Sequence, residues 1–263
     1  MLLEVNNLDI SYGQRKTVAG VSFELDRGEI LSIVGESGSG KTTVIRAIMG
    51  CLPGSGRVSA GSIVFEGKNV LENTPEEWRQ MRGLGMSMIF QDSGSMINPI
   101  RTIGSQFVDY ILAHDHGKSK ADARKRATEM LGRMSLPNVE TIMGNYPFEL
   151  SGGMRQRVGI AMAMTFSPRL LLADEPTSAL DVTTQAQIIR QIIDVRNEYN
   201  VAVIIVTHNL GVASYMSNKI IVMKNGHAVE QGPREKVLFE PKDSYTRTLL
   251  ASVPEIGGEP YYA

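Results

Sequence analysis

Apolar positions recur along this chain in short runs of two kinds. Val21-Ser-Phe23-Glu-Leu25 alternates apolar and polar residues, the period of a strand with one buried face; Leu3 to Leu25 reads as short strands broken at Tyr12-Gly13. Ile30-Leu-Ser-Ile-Val34, Leu170 to Ala173 and Val201-Ala-Val-Ile-Ile-Val206 are compact apolar runs, as strands covered on both faces require. Ser62-Ile-Val-Phe-Glu66 and Met86 to Phe90 are further strand candidates. Elsewhere the period lengthens. Val44, Ile45, Ala47 and Ile48 have helical spacing over Thr43 to Met49, and helices are predicted after Ser151 to Met164 and from Thr184 to Glu198. From Asp92 to Glu149 the chain reads as helices and loops, with Ser119 as an N-cap before Ala123, Ala127, Met130, Leu131 and Met134. Asn225-Gly226, after the apolar run Ile220 to Met223, is a hairpin-turn signal.

Strand–helix alternation on both sides of an all-helical stretch predicts an α/β class: a parallel sheet flanked by helices, interrupted by a helical insert. The reading assigns 1–91 and 151–240 to the α/β core, 92–150 to the insert and 241–263 to a short C-terminal tail, within one domain. Composition changes this picture little. With 263 residues, 42% hydrophobic and 21% charged, the chain is long enough for a real core and excludes disorder and coiled coil. A net charge of -1 gives no basic excess, so nucleic acid is not expected as a partner. The single cysteine, Cys51, excludes an internal disulfide framework and a cysteine-rich metal site, and fits a reducing compartment. Cys51 itself is expected to be buried, and Met81, Met86, Met88, Met162 and Met164 to fill the core. No apolar run reaches the ~18–20 residues that span a bilayer, and Met1-Leu-Leu-Glu-Val5 lacks a signal-peptide pattern. A soluble, cytoplasmic chain is expected; any membrane part would come from other chains.

Three stretches carry chemistry. Gly35-Glu-Ser-Gly-Ser-Gly40-Lys41-Thr42 matches G-x-x-x-x-G-K-[ST] between a predicted strand and a predicted helix, the context of a phosphate loop. Its backbone N–H groups, from Gly35, Glu36, Ser37, Gly38, Ser39 and Gly40 into Thr43, would turn toward phosphate oxygens at a helix N-terminus. Lys41 would reach the β- and γ-phosphates, and the Thr42 hydroxyl a magnesium ion. Second, Leu170-Leu-Leu-Ala-Asp174-Glu175 is an apolar strand ending in two acids. Asp174 suits Mg²⁺ held through water, and Glu175 suits a base that orients and deprotonates an attacking water. Third, Ser151, Gly152 and Gly153 open the predicted helix that contains Gln156, a second anion-binding N-terminus.

Leu150-Ser-Gly-Gly153-Met-Arg-Gln156-Arg157 resembles the signature sequence of the ABC ATPases, and that resemblance covers almost the whole chain. Tyr12 resembles the aromatic residue that stacks on adenine in that family. Gln91 resembles the Q-loop glutamine that senses Mg²⁺ and the membrane partner, Ser178-Ala-Leu-Asp181 the D-loop, and His208 the switch histidine. Taken singly, Tyr12 fits a strand aromatic and His208 a loop histidine; their order is what carries the resemblance. It implies a P-loop ABC ATPase fold with N-terminal antiparallel strands, using ATP and Mg²⁺. It further implies a head-to-tail dimer, with the signature of one subunit closing over ATP held by the other.

Within the family, Gln91-Asp92-Ser-Gly-Ser-Met-Ile-Asn98-Pro99 resembles a segment of the importers of dipeptides, oligopeptides and nickel. So do the D-loop region Asp174 to Gln187 and the tail Pro241 to Pro254, which departs at Asp243 and Ser244. With one cysteine, no iron–sulfur cluster is carried over. The resemblance implies a second ATPase subunit (the same or a related one), two permease subunits and, indirectly, an extracytoplasmic substrate-binding protein. The chain would sit peripherally at the cytoplasmic face of the cell membrane. The alternative is a soluble ABC-type subunit of an enzyme complex such as carbon–phosphorus lyase, which shares the same ATP residues.

Overall fold

The computed structural model describes residues 1–91, 96–178, 180–252 and positions 255, 256, 259 and 260. The motif readings at Asp92 to Ser95, at Ala179 and at Val253-Pro254 lie outside the described residues. The chain divides into two compact units, Met1–Trp78 with Asn200–Ala263, and Arg79–Tyr199.

In the first unit, β1 (Leu3–Tyr12) and β2 (Arg15–Leu25) are separated at the expected break, Tyr12-Gly13, and pair as an antiparallel hairpin with Tyr12 opposite Arg15. β4 (Gly56–Phe65) lies on the other side of β1 and carries the short β5 (Lys68–Asn69). Leu3, Val5, Leu8 and Ile10 turn one face of β1 inward and are fully buried. β3 (Ile30–Val34) runs parallel to both β8 (Ala202–Thr207) and β9 (Lys219–Lys224). All residues of β3 and β8 are buried, which explains why those strands read as continuous apolar runs rather than alternating ones. β10 (His227–Pro233) returns antiparallel to β9 through Asn225 (φ 49) and Gly226 (φ 84), the two positive-φ positions of a two-residue hairpin turn.

α1 (Lys41–Ile48) follows β3 and buries Val44, Ile45, Ala47 and Ile48, as its spacing predicts. Cys51 corrects the sequence expectation: it is exposed. The helix stops at Gly50, which donates its N–H to the Ala47 carbonyl and whose φ of 63 lets Cys51 N–H reach back to the Arg46 carbonyl. This left-handed cap turns the chain out of the helix one residue before the cysteine. Among the five methionines, Met86, Met88 and Met164 are buried, whereas Met81 and Met162 are only half-buried. The first unit is completed by α8 (Leu210–Met216), α9 (Arg234–Phe239) and α10 (Ser244–Ala251). Their residues Leu210, Ala213, Val237, Leu238, Tyr245 and Leu250 form one cluster with Val34, Ile220 and Val222.

The chain enters the second unit within α2 (Pro75–Met81) and leaves it after α7 (Val182–Tyr199). Here β6 (Met86–Ile89) pairs in parallel with β7 (Leu170–Asp174), from Met86 opposite Leu170 to Ile89 opposite Ala173. The helices expected between them are α3 (Ile103–His114), α4 (Lys120–Arg133) and α5 (Val139–Gly144), followed by α6 (Gly152–Met164). Ser119 caps α4 as predicted: its side chain accepts from Asp122 N–H, and the Asp122 carboxylate accepts in return from Ser119. Ala123, Ala127, Met130 and Leu131 of α4 are buried, with Phe107 and Ile111 of α3 and Ile142 and Met143 of α5.

Candidate functional site

The phosphate loop connects the buried end of β3 to α1. Gly35 has no room for a side chain: a Cβ there would lie 2.1 Å from the Met223 carbonyl oxygen on β9. Gly40 caps α1 with φ 102 and without a side-chain hydrogen bond, so the first turn of the helix opens onto the loop. Lys41 is buried, and its ammonium donates to the carbonyls of Gly35 at 2.7 Å and Glu36 at 2.8 Å. The charge is therefore held inside its own loop. Ser39 is buried and its carbonyl accepts from Gly226 N–H at 3.0 Å, while Gly226 C=O accepts from Ala19 N–H at 2.9 Å. The β9–β10 turn thus braces the loop from outside. Glu36, Ser37 and Gly38 are exposed on its outer side, and Thr42 and Thr43 are half-buried on the first turn of α1.

Strand pairing brings His208 to the same edge. Val34 and Thr207 are register partners in parallel strands, so Gly35 and His208 each leave the carboxyl end of neighbouring strands. Ligand sites in parallel sheets form at that edge. His208 is exposed there. Tyr12 sits on the antiparallel sheet instead, at the end of β1, opposite Arg15 and Gly56. Its half-buried ring lies where a side chain of Gly56 would be, 2.7 Å from the Cβ position.

In the second unit the β6–β7 pair does the same for the acids and the glutamine. Ile89 is opposite Ala173, so Gln91 and the Asp174-Glu175 pair leave one strand edge together. Asp174 is 3% exposed, Glu175 half-buried and Gln91 exposed. Glu175 takes φ 43, and its carbonyl accepts both the N–H and the hydroxyl of Ser178 at 3.2 Å.

Ser151 is the N-cap of α6, its hydroxyl accepting from Met154 N–H at 3.3 Å. Ser151 and Gly152 are exposed, Gly153 is half-buried, and Gln156 is buried one turn along the helix. A Cβ at Gly153 would lie 2.6 Å from Thr184 Cγ2. Thr184 in turn donates its N–H at 2.9 Å and its hydroxyl at 2.7 Å to the Asp181 carboxylate, which holds that carboxyl below its ordinary pKa. Thr184 therefore ties the predicted D-loop residue to the predicted signature loop, a link that sequence reasoning missed. It also missed Tyr245, whose hydroxyl accepts from Glu36 N–H at 3.0 Å.

Among the described residues no group of three or more His, Cys, Asp or Glu is placed to hold a metal ion. The Thr42 hydroxyl lies on the first turn of α1 in the first unit, and the Gln91 amide and Asp174 carboxylate leave one strand edge in the second; each is an oxygen donor of the class magnesium takes.

Residues 8–178 match the ABC transporter family. The chain is 41% identical, over 97% of its length and 74% of the relative's, to the dipeptide transport ATP-binding protein DppD of Lactococcus lactis subsp. cremoris. It is 43% identical, over 98% of its length and 80% of the relative's, to the oligopeptide transport ATP-binding protein AppD of Bacillus subtilis. Among solved structures, the ATP-binding cassette MJ0796, described as a post-hydrolysis dimer bound to ADP and Pi, matches with a TM-score of 0.78 at 27% identity. That match covers 89% of this chain and 99% of the cassette. The cbiO1 subunit from Clostridium perfringens, described as part of the ABC transporter complex cbiONQ, gives 0.78 at 25% identity, covering 96% of each chain. The α/β fold with antiparallel N-terminal strands is thus that of the ABC ATPase cassettes.

Proposed function

We propose a function from one premise: the chain belongs to the ABC transporter family. It is an ATP-hydrolysing subunit that powers an importer of short peptides. The observation that carries the ATP reading is Lys41, buried and bonded to the Gly35 and Glu36 carbonyls within a loop that ends at the N-terminus of α1. The peptide reading is supported by relatives named for dipeptide and oligopeptide transport that match along nearly the whole chain. Those names favour peptides over nickel, and an importer over a soluble enzyme complex.

In this reading Tyr12 stacks on the adenine, and Gly35 to Thr43 cradle the phosphates, with Lys41 neutralising the β- and γ-oxygens. Thr42 on the first unit, and Gln91 and Asp174 on the second, are the residues that would hold Mg²⁺, which would offset charge on the phosphates. Glu175 takes a proton from the attacking water and His208 steadies the γ-phosphate. Ser151, Gly152, Gly153 and Gln156 serve the ATP of a second ATPase subunit, and Asp181 the junction between the two. ATP binds the closed pair more tightly than the open one, which shifts the population toward closure. Hydrolysis reverses it. Gln91 and the helical residues after it pass the motion to two permease subunits at the cytoplasmic face of the membrane, to which a substrate-binding protein delivers the peptide. No described helix is long and apolar enough to cross a membrane.

The test is a pull-down of the tagged chain from its own cells in mild detergent. Two polytopic membrane proteins and a second ATPase copurifying would support the importer; soluble enzymes without any membrane protein would overturn it.

A further inference from the structure

The C-terminal helix α10 reaches the phosphate loop through one side chain. Tyr245 is 7% exposed, packed in the cluster of Val34, Ile220, Val222, Val237 and Leu250. Its hydroxyl accepts from the backbone N–H of Glu36 at 3.0 Å. The carbonyl of that same residue accepts from Lys41 Nζ at 2.8 Å. Glu36 is therefore held on its N–H by the tail and on its C=O by the phosphate-binding lysine.

The tail is fixed in turn. Asp243 caps α10 by accepting from Tyr245 N–H at 2.8 Å. The Glu230 carboxylate on β10 accepts from Lys242 N–H at 2.7 Å and Asp243 N–H at 3.2 Å. Lys224 places its ammonium 4.5 Å from the centre of the Tyr245 ring, within cation–π range. Thr246, next along the helix, is fully buried. Burial pushes the phenol above its ordinary pKa, so the hydroxyl stays neutral while it accepts the bond. The hydroxyl bond is more than packing requires, because a phenylalanine would fill the same cluster without accepting from Glu36 N–H.

We propose that Tyr245 is a positioning residue for nucleotide binding: by holding the Glu36 peptide it sets the first turn of the phosphate loop, and with it the direction of the Lys41 ammonium. The inference rests on the reading of Gly35 to Thr42 as an ATP site. Such a residue acts on ground state and transition state alike, so its loss raises Kd and KM for ATP with little change in kcat.

The experiment compares the purified full chain with Tyr245→Phe, which keeps the ring and removes the hydroxyl. Titration with Mg-ATP should give a Kd raised about three- to tenfold, the scale of one lost neutral hydrogen bond. Amide exchange should quicken over the segment containing Glu36 and stay unchanged in β1. Asp243→Ala, which loosens Tyr245 without touching its ring, should shift Kd the same way and guards against a misfolded first variant. Unchanged Kd in both variants, whatever happens to melting temperature or exchange, would assign Tyr245 a structural role only and overturn the proposal. A wild-type chain that binds no Mg-ATP would instead overturn the phosphate-loop reading beneath it, and with it the proposal.

Discussion

Glu175 is held by its backbone before its side chain does anything. A φ of 43 costs a non-glycine residue about 1 kcal/mol, and the turn retains it through two Ser178 bonds to the Glu175 carbonyl and the fixed φ of Pro176. The carboxylate thus leaves the end of β7 in a direction set by the turn. Glutamine preserves the shape and removes the basicity. Glu175→Gln is expected to bind ATP within about threefold of wild type while turnover in the assembled complex falls by at least ~100-fold, the usual contribution of a positioned base. Paired measurements of Kd and of phosphate release check it. Near-normal release would take the base role away from Glu175.

Elements, rather than single residues, carry the link between α6 and α7. Gly153 lets Thr184 of α7 approach the first turn of α6, and a methyl group there would meet Thr184 Cγ2 at 2.6 Å. Gly153→Ala should therefore destabilise the protein by about 1–3 kcal/mol, the cost of overpacking. In a chain of this size that lowers the melting temperature by roughly 2–4 °C per kcal/mol, read by calorimetry. Asp181 adds a pH dependence. Its carboxyl is held below the ordinary 3.8 by the Thr184 N–H and hydroxyl, so the folded state favours the ionised form. The stabilisation is present above 3.8 and is lost as pH falls through the lower folded value. Wild type should melt higher than Asp181→Ala at neutral pH, with the gap closing in acid. A gap that persists there would mean the carboxylate charge is not what caps α7.

The same scale explains what the sequence made legible. The phosphate loop, the Ser119 cap and the Asn225-Gly226 turn are local: each motif encodes its conformation within a few residues, by glycine φ values or by a side chain bonding a nearby N–H. β3 and β8 were legible because burial on both faces writes a continuous apolar run. Tyr245 was not. Its bond to Glu36 joins positions 209 apart, and no periodicity near either residue encodes the pairing. Thr184 reads in sequence as an ordinary first-turn residue of a helix, and its contact with Gly153 exists only once α6 and α7 are packed. Cys51 was misjudged for a related reason, since the helix-ending role of Gly50 outweighed the apolar character of its neighbour.

At the scale of the whole molecule, the phosphate loop and the Ser151 loop should fail in different ways. Both are glycine-containing loops opening onto a helix N-terminus, and a single nucleotide has one triphosphate. If Ser151 serves an ATP bound by a second ATPase subunit, its loss must spare binding by the isolated chain. Ser151→Arg places a bulky cation at an exposed N-cap, where it would obstruct a subunit approaching that helix end. The isolated variant is expected to keep wild-type affinity for Mg-ATP, whereas ATPase turnover in the assembled complex falls by at least ~100-fold, the scale of one lost transition-state hydrogen-bond donor. Lys41→Ala should show the opposite order, losing affinity already in the isolated chain. Titration calorimetry on the isolated variants and phosphate release from the complexes separate the two patterns. A Ser151→Arg chain that binds ATP poorly by itself would place the signature loop in the chain's own site and remove the physical argument for a composite one.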